Sequence, residues 1–236
     1  MSNHIGSLNE KSLHANLKQW YAQPNDQIEV SVDGFVIDIV RDNLLIEIQT
    51  RSFSSMKRKL LKLTETHPVK LIHPIAQEKW IVKLANDEQT EKSRRKSPKR
   101  GTVYEIFREL VSFPQLMTNP NFSLHVLLIQ EEEARRHDGR RGWRRKGWVT
   151  HERRLLAVAD EYRFANPEDM QALLPEALDN PFTTADLAKG LGQPRWLMQK
   201  MAYCLREMGV IEQVGKEGNT ILYQTADNRP PTTEVD

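Results

Sequence analysis

A predicted β-hairpin places two carboxylates opposite each other. The segments FVIDIVR and LLIEIQT are rich in β-formers and apolar at almost every position, and Asp42-Asn43 separates them. If those two residues form the turn, counting back along both strands brings Asp38 opposite Glu47. Directly opposed side chains share a face, with Cβ atoms about 4.5–5.5 Å apart. Gln49 lies on the same face of its strand, two residues further on.

Two carboxylates side by side in an apolar hairpin repel each other, and burying them unpaired is costly. A divalent cation with oxygen ligands would compensate them directly. A lysine or arginine that neutralises the pair, or a hydrated hairpin edge, would serve equally well. Residue spacing alone leaves these alternatives open.

The order of helix, Asp-bearing strand, Glu-x-Gln strand, helix and strand over residues 5–84 resembles the PD-(D/E)XK nuclease superfamily. The motif that carries the resemblance is D-I-V-R-D-N-L-L-I-E-I-Q, which begins at Asp38. The resemblance implies that Asp38 and Glu47 bind Mg²⁺ (or Mn²⁺), with Glu10 of the first helix as a third ligand. The superfamily's usual lysine is replaced here by Gln49, whose amide can orient a water but carries no charge. Lys57 or Lys59 on the following helix is the candidate replacement, and an ordinary solvated helix face is the alternative.

The function implied by this resemblance is Mg²⁺-dependent hydrolysis of phosphodiester bonds in nucleic acid. The metal would stabilise charge at phosphorus and activate a water. The expected catalytic residues are Asp38, Glu47, Gln49, Glu10 and Lys57. The alternative is a non-catalytic nuclease-fold scaffold, or a DNA-binding regulatory protein.

The distribution of charge along the chain supports a polyanionic partner. The whole chain has a net charge of only +2, but residues 91–154 hold 16 basic and 8 acidic side chains. Such a basic segment suits nucleic acid, with DNA favoured. Much of the charge lies in KSRRKSPKR (92–100), within a predicted solvated loop or linker at 86–100, and in ARRHDGRRGWRRKGW (134–148). In the second run, arginines are interleaved with tryptophans, which suits phosphate contacts and base stacking. The predicted contact residues are Arg140, Arg141, Arg144 and Arg145, and a solvated loop is the alternative.

The C-terminal pattern after Pro181 resembles a winged helix-turn-helix. It reads as helix, tight turn, helix, strand, turn and strand, with Thr183 as an N-cap followed by Asp186. In the second helix, the stripe that begins at Leu197 is predicted to face the core. A separate stripe is expected to contact the DNA major groove through Arg195, Gln199 and Arg206. Because residues 155–236 hold 7 basic and 13 acidic side chains, a protein partner is the alternative.

The predicted fold class is α/β or α+β, a mixed β-sheet flanked by helices in the restriction-endonuclease-like manner, with a small winged-helix domain. The predicted helices lie at 7–22, 53–66, 102–113, 150–164 and 168–178. Predicted strands beyond the hairpin lie at 69–75, 79–84 and 123–130. The predicted domains are 1–134 (nuclease-like), 135–150 (basic linker), 151–226 (helical connector and winged helix) and 227–236 (disordered tail).

Several protein classes are disfavoured by the sequence. No apolar run approaches the roughly 18–20 residues of a membrane span, and the N-terminus lacks the pattern of a secretory signal. A single cysteine, Cys204, rules out an internal disulfide and a cysteine-rich metal site. A cytoplasmic protein that does not contact membranes is therefore expected.

Overall fold

The computed structural model describes residues 12–85, 90–139 and 146–226, and the fold is α+β with a large mixed sheet and flanking helices. The chain divides into two compact units that alternate along the sequence. The first comprises Met1–Arg51, Leu71–Val103 and His125–Tyr162, and the second comprises Ser52–Lys70, Tyr104–Leu124 and Arg163–Asp236. The predicted domains, in contrast, are consecutive segments.

Seven strands form the main sheet. In chain order they are β1 (Gln27–Val32), β2 (Phe35–Arg41), β3 (Leu44–Ile48), β4 (Val69–Leu84), β5 (Glu91–Lys96), β6 (Phe122–His137) and β7 (Trp148–Phe164). Their spatial order is β1-β2-β3-β4-β6-β7, and β5 pairs with β4. The β1–β2, β2–β3 and β4–β5 pairs are antiparallel.

The two predicted hairpin turns are confirmed. Asp33 and Gly34 both have positive φ, of 50° and 79°, as a two-residue turn of the primed type requires. Asp42 also has a positive φ, of 52°. Because each turn has two residues, the register of the three strands follows by counting.

Helix α1 (Ser12–Tyr21) packs on the sheet of the first unit. Leu13 and Leu17, one helical turn apart, are buried against Ile39, Ile46 and neighbouring residues of β3, β4 and β6. This core fixes the polar side of the same helix relative to β1 and β2.

The second unit contains the remaining helices and a small hairpin. They are α2 (Lys57–Leu63), α3 (Phe107–Leu110), α4 (Pro167–Gln171), α5 (Thr184–Leu191), α6 (Arg195–Glu207), β8 (Ile211–Glu217) and β9 (Thr220–Thr225). Thr183 and Asp186 form the predicted capping box at the start of α5. Gly192 ends α5 in the left-handed conformation, at φ 60°. The predicted order of helix, turn, helix and hairpin is therefore confirmed.

Other predictions for the middle of the chain are wrong. Residues 150–164, predicted to be helical, lie in β7, and β4 is one continuous strand rather than two. The predicted helix at 168–178 is limited to α4, and residues 91–96 form β5. The segment predicted as a linker at 135–150 includes the end of β6 and the start of β7, and the predicted tail at 227–236 lies outside the described residues.

None of the helices in the described part of the chain is both long and apolar enough to cross a membrane.

Candidate functional site

The first unit places a carboxylate on each of three neighbouring strands. In the β1–β2 ladder, Ile28 pairs with Ile39, so the next position in register sets Glu29 across from Asp38. The ladder continues in the same register beyond this position. Glu29 and Asp38 are therefore neighbours across the two strands.

The β2–β3 ladder extends this arrangement by one strand. Ile39 pairs with Ile46 at the end of this ladder, and one further step in the same register would set Asp38 across from Glu47, as counted from the turn at residues 42–43. We call Glu29, Asp38 and Glu47 the acidic row. Glu47 is buried, with 3% of its surface exposed.

Two basic side chains of α1 contact the acidic row. His14 Nε2 lies 3.2 Å from Asp38 Oδ2, and Lys18 Nζ donates to Glu29 Oε1 at 2.7 Å. The backbone N–H of Ile48 also donates to Asp38 Oδ2, at 2.8 Å.

These contacts determine the ionisation of Asp38. Burial raises the pKa of this carboxyl, but the hydrogen bond and charge of His14, the Ile48 N–H and the charge of Lys18 outweigh burial. The net result is a pKa below its usual range. Asp38 is thus held as a carboxylate despite being largely removed from solvent.

The backbone is distorted at the same place. Glu29 has a φ of 55°, in the left-handed region that residues with a Cβ rarely adopt. Such a conformation costs about 1–3 kcal/mol and persists only where surrounding structure imposes it. Here the ion pair with Lys18 and the β1–β2 ladder hold the residue on both sides.

Two of the other predicted catalytic residues lie within the described part of the chain. The side-chain Oε1 of Gln49 accepts a hydrogen bond from the backbone N–H of Arg51 at 3.2 Å. Lys57 is exposed on α2, in the second unit. Glu10 lies outside the described residues.

The carboxylates of the acidic row could bind Mg²⁺ or Mn²⁺ only if waters or phosphate oxygens completed the coordination of the metal. Among the described residues, no group of three or more His, Cys, Asp or Glu side chains is arranged to hold a metal ion. Mg²⁺ commonly uses one or two protein carboxylates, with waters and substrate phosphate completing its coordination. Asp38 and Glu47 are two carboxylates on neighbouring strands, the number that such a site would need.

Sequence reasoning missed three residues of this site, although their signals were present. His14 and Lys18 are four residues apart on a predicted helix and so share a face. Glu29 falls opposite Asp38 when residues are counted outward from the Asp33-Gly34 turn. Applying the same counting to both hairpins would have located all three carboxylates.

A second acidic cluster in the first unit is compensated by a larger number of basic side chains. Glu131 and Glu133 of β6, which we call the buried pair, both contact Lys79 Nζ, at 2.7 and 3.0 Å. Arg153 Nε also donates to Glu131 at 3.0 Å, and Arg135 Nε to Glu133 at 2.7 Å. Burial raises the pKa of Glu133, but Lys79 and Arg135 outweigh it and lower the pKa to about 2.

Only some of the residues predicted to contact nucleic acid lie within the described part of the chain. Arg140, Arg141, Arg144 and Arg145 lie outside the described residues. On α6, Arg195 and Gln199 are exposed. Arg206 is half-buried and donates to Glu207 at 2.8 Å.

The opposite side of α6 is packed as predicted. Leu197, Met201, Leu205 and Met208 are buried. The helix packs on α3, α5 and the segment Pro114–Thr118. The exposed side chains of α6 could therefore change without disturbing this core.

Comparison with known proteins identifies relatives but no activity. Residues 11–165 match a family described as "Domain of unknown function (DUF8091)". An uncharacterized protein of Treponema pallidum (strain Nichols) is 30% identical over 233 residues, which cover 96% of this chain and 91% of the relative. No solved structure matches the chain.

Proposed function

We propose that this chain, which belongs to the DUF8091 family, whose description names no activity, is a Mg²⁺-dependent nuclease. The proposal is drawn from the acidic row. The protein would hydrolyse phosphodiester bonds in nucleic acid, with DNA favoured, in a restriction-endonuclease-like fold of the PD-(D/E)XK type. The observation that carries this proposal is Asp38, held as a carboxylate on the strand beside the one that carries the buried Glu47.

Asp38 and Glu47 would hold Mg²⁺ or Mn²⁺, with Glu10 as the proposed third ligand. When bound, the metal would stabilise charge on the phosphate and lower the pKa of a bound water. His14 orients Asp38 through Oδ2, and the Ile48 N–H restrains the same oxygen. Gln49 and Lys57 remain the proposed groups for positioning the water and the phosphate.

The test is cleavage by Asp38→Asn and Glu47→Gln. Each variant should lose at least about a hundredfold in Mg²⁺- or Mn²⁺-dependent cleavage, because each removes a charged oxygen ligand while keeping side-chain shape. Single-stranded, duplex and branched DNA, together with RNA, should be tried as substrates. Asp160→Asn, which changes an exposed carboxylate of β7, is the matched control. Cleavage at the wild-type rate by both variants would refute the proposal.

A second candidate function is DNA recognition through the C-terminal segment, with the nuclease-like unit as a non-catalytic scaffold. It is favoured by the exposed Arg195 and Gln199 on a helix whose opposite stripe is buried. This arrangement resembles the recognition helix of a winged helix, and Arg206 would be a third contact. A protein bound at the same surface is the alternative partner.

Gel-shift titration of Arg195→Ala with Gln199→Ala separates these roles. If the helix contacts base edges, each substitution should cost about 1–3 kcal/mol in binding free energy. Substitution of the exposed Gln213 and Lys216 on β8 provides a control in the same unit. Equal affinity of wild type and double variant at two salt concentrations would exclude DNA recognition by α6.

A further inference from the structure

Strand β5 differs from every other strand of the main sheet in its exposure. All six of its residues, EKSRRK, are exposed, and none is apolar. The strand is held by its backbone ladder to β4, in which Trp80 pairs with Lys96 and Val82 with Arg94. Its side chains are therefore not selected by packing in a core.

The cations of β5 are fixed in position on one face. Paired positions in an antiparallel ladder share a face, so Trp80, Arg94 and Lys96 lie together. The Arg94 guanidinium carbon is 5.3 Å from the centre of the Trp80 ring, and Lys96 Nζ is 5.0 Å from it. We call these three residues the Trp80 face. Cation–π attraction orients both charged groups before any partner arrives.

Two carboxylates complete the arrangement. Arg94 Nε donates to Glu132 at 2.9 Å, and Lys96 Nζ donates to Glu78 at 2.7 Å. Arg100 also contacts Glu78, at 3.1 Å. The side chains of Arg94 and Lys96 remain 42% and 46% exposed, so both can be reached from solvent. The wider segment 91–100 contains six basic residues and one acidic residue.

We propose that the Trp80 face binds the sugar–phosphate backbone of nucleic acid without reading its sequence. Arginine and lysine side chains held at fixed positions match a linear array of phosphates, and release of counterions drives such binding. Because Arg94 and Lys96 lie over the Trp80 ring, a nucleobase would not stack on that ring. We therefore expect the contact to be with the sugar–phosphate backbone. Glu78 and Glu132 compete with phosphate for the same cations and set the affinity.

This inference rests on the proposed substrate class but not on cleavage. It also differs from recognition through α6, which belongs to the second unit. Binding is therefore measured in EDTA, by fluorescence anisotropy of labelled single-stranded and duplex DNA of arbitrary sequence. Asp160→Asn, which changes an exposed carboxylate outside the acidic row, should bind as wild type does. Because no divalent metal is present in the assay, a failed nuclease proposal leaves this test intact.

The central variant is Arg94→Gln with Lys96→Gln in the full chain. We expect affinity to fall at least about tenfold at low salt, and the slope of log affinity against log salt to fall by about 1.8 for two lost phosphate contacts. The matched control is Arg58→Gln with Lys62→Gln, which removes two exposed charges from α2. An effect no larger than that of the control would overturn the proposal.

Two further variants test whether binding depends on the arrangement of the Trp80 face or only on its positive charge. Trp80→Leu leaves net charge unchanged and should weaken binding several-fold, because Arg94 and Lys96 lose their support. Glu132→Gln should strengthen binding, since it frees Arg94. Both changes are checked for folding by circular dichroism. Binding of polyglutamate as tight as that of DNA would overturn the assignment to nucleic acid and point to an acidic protein partner.

Discussion

The acidic row and the buried pair both consist of carboxylates close to basic side chains, but the two clusters differ in how their negative charge is compensated. In the buried pair, Lys79 bridges both glutamates and each has an arginine besides. In the acidic row, His14 and Lys18 contact Asp38 and Glu29, and the backbone is distorted at Glu29. Full neutralisation by cations indicates a structural role for the buried pair. The acidic row contains a strained residue, Glu29, and a carboxyl group kept ionised, Asp38. Both features are typical of functional sites, so the acidic row is the better candidate for a catalytic site.

The largest effect that tests this comparison concerns Lys79. Lys79→Met should lower the free energy of unfolding by about 3 kcal/mol, because it takes from the buried Glu131 Oε1 and Glu133 Oε2 the cation that they share. Lys18→Met should cost only about 1 kcal/mol, since Glu29 remains largely solvated. Urea titration measures both, with Lys62→Met as a surface control. Equal losses for Lys79 and Lys18 would remove the distinction between the two clusters.

The acid dependence of stability provides the next test. The folded pKa of Glu133 is about 2, below its ordinary value of 4.5. Its contribution to stability is therefore complete above that ordinary value and is lost as pH falls towards the folded pKa. Melting temperatures measured across this range should decline less steeply for Glu133→Gln than for wild type. Parallel declines would show that the buried pair does not govern acid unfolding.

The smallest expected effect concerns the backbone of Glu29. Glu29→Gly should be more stable than Glu29→Ala by about 1 kcal/mol, because both lose the carboxylate but only glycine tolerates positive φ without strain. At Ser31, in an ordinary extended part of the same strand, the order should reverse, by roughly 0.5–1 kcal/mol. Thermal denaturation of the four variants checks this. Alanine more stable than glycine at both positions would mean that the row carries no backbone strain.

Prediction from sequence succeeded where the signals were short-range. The turn at Asp33-Gly34 set the register of β1 and β2, and the capping box of Thr183 located the start of α5. Each signal depends on a few adjacent residues and their own backbone preferences. For the same reason, the pairing of Ile39 with Ile46 follows from counting back from the turn at residues 42–43.

Prediction failed where the backbone finds its partners far along the chain. Residues 150–164 have apolar side chains at helical spacing, among them Leu155, Val158 and Tyr162, yet they form β7. Pairing with β6 satisfies the backbone hydrogen bonds of this segment, and contacts of Leu155 and Val158 with the core add to it. Tertiary pairing thus outweighs a local preference that differs only slightly between helix and strand.

The sequence by itself determined the two hairpins, their register and the helix–helix–hairpin order of the C-terminal segment, because adjacent residues specify turns and caps. Only the tertiary structure decided that His14 and Lys18 of α1 contact Asp38 and Glu29, that Lys79 bridges the buried pair, and that β5 carries its cations on a tryptophan. Each of these depends on a long-range contact, whose partner cannot be identified from residue type until strands and helices are packed together.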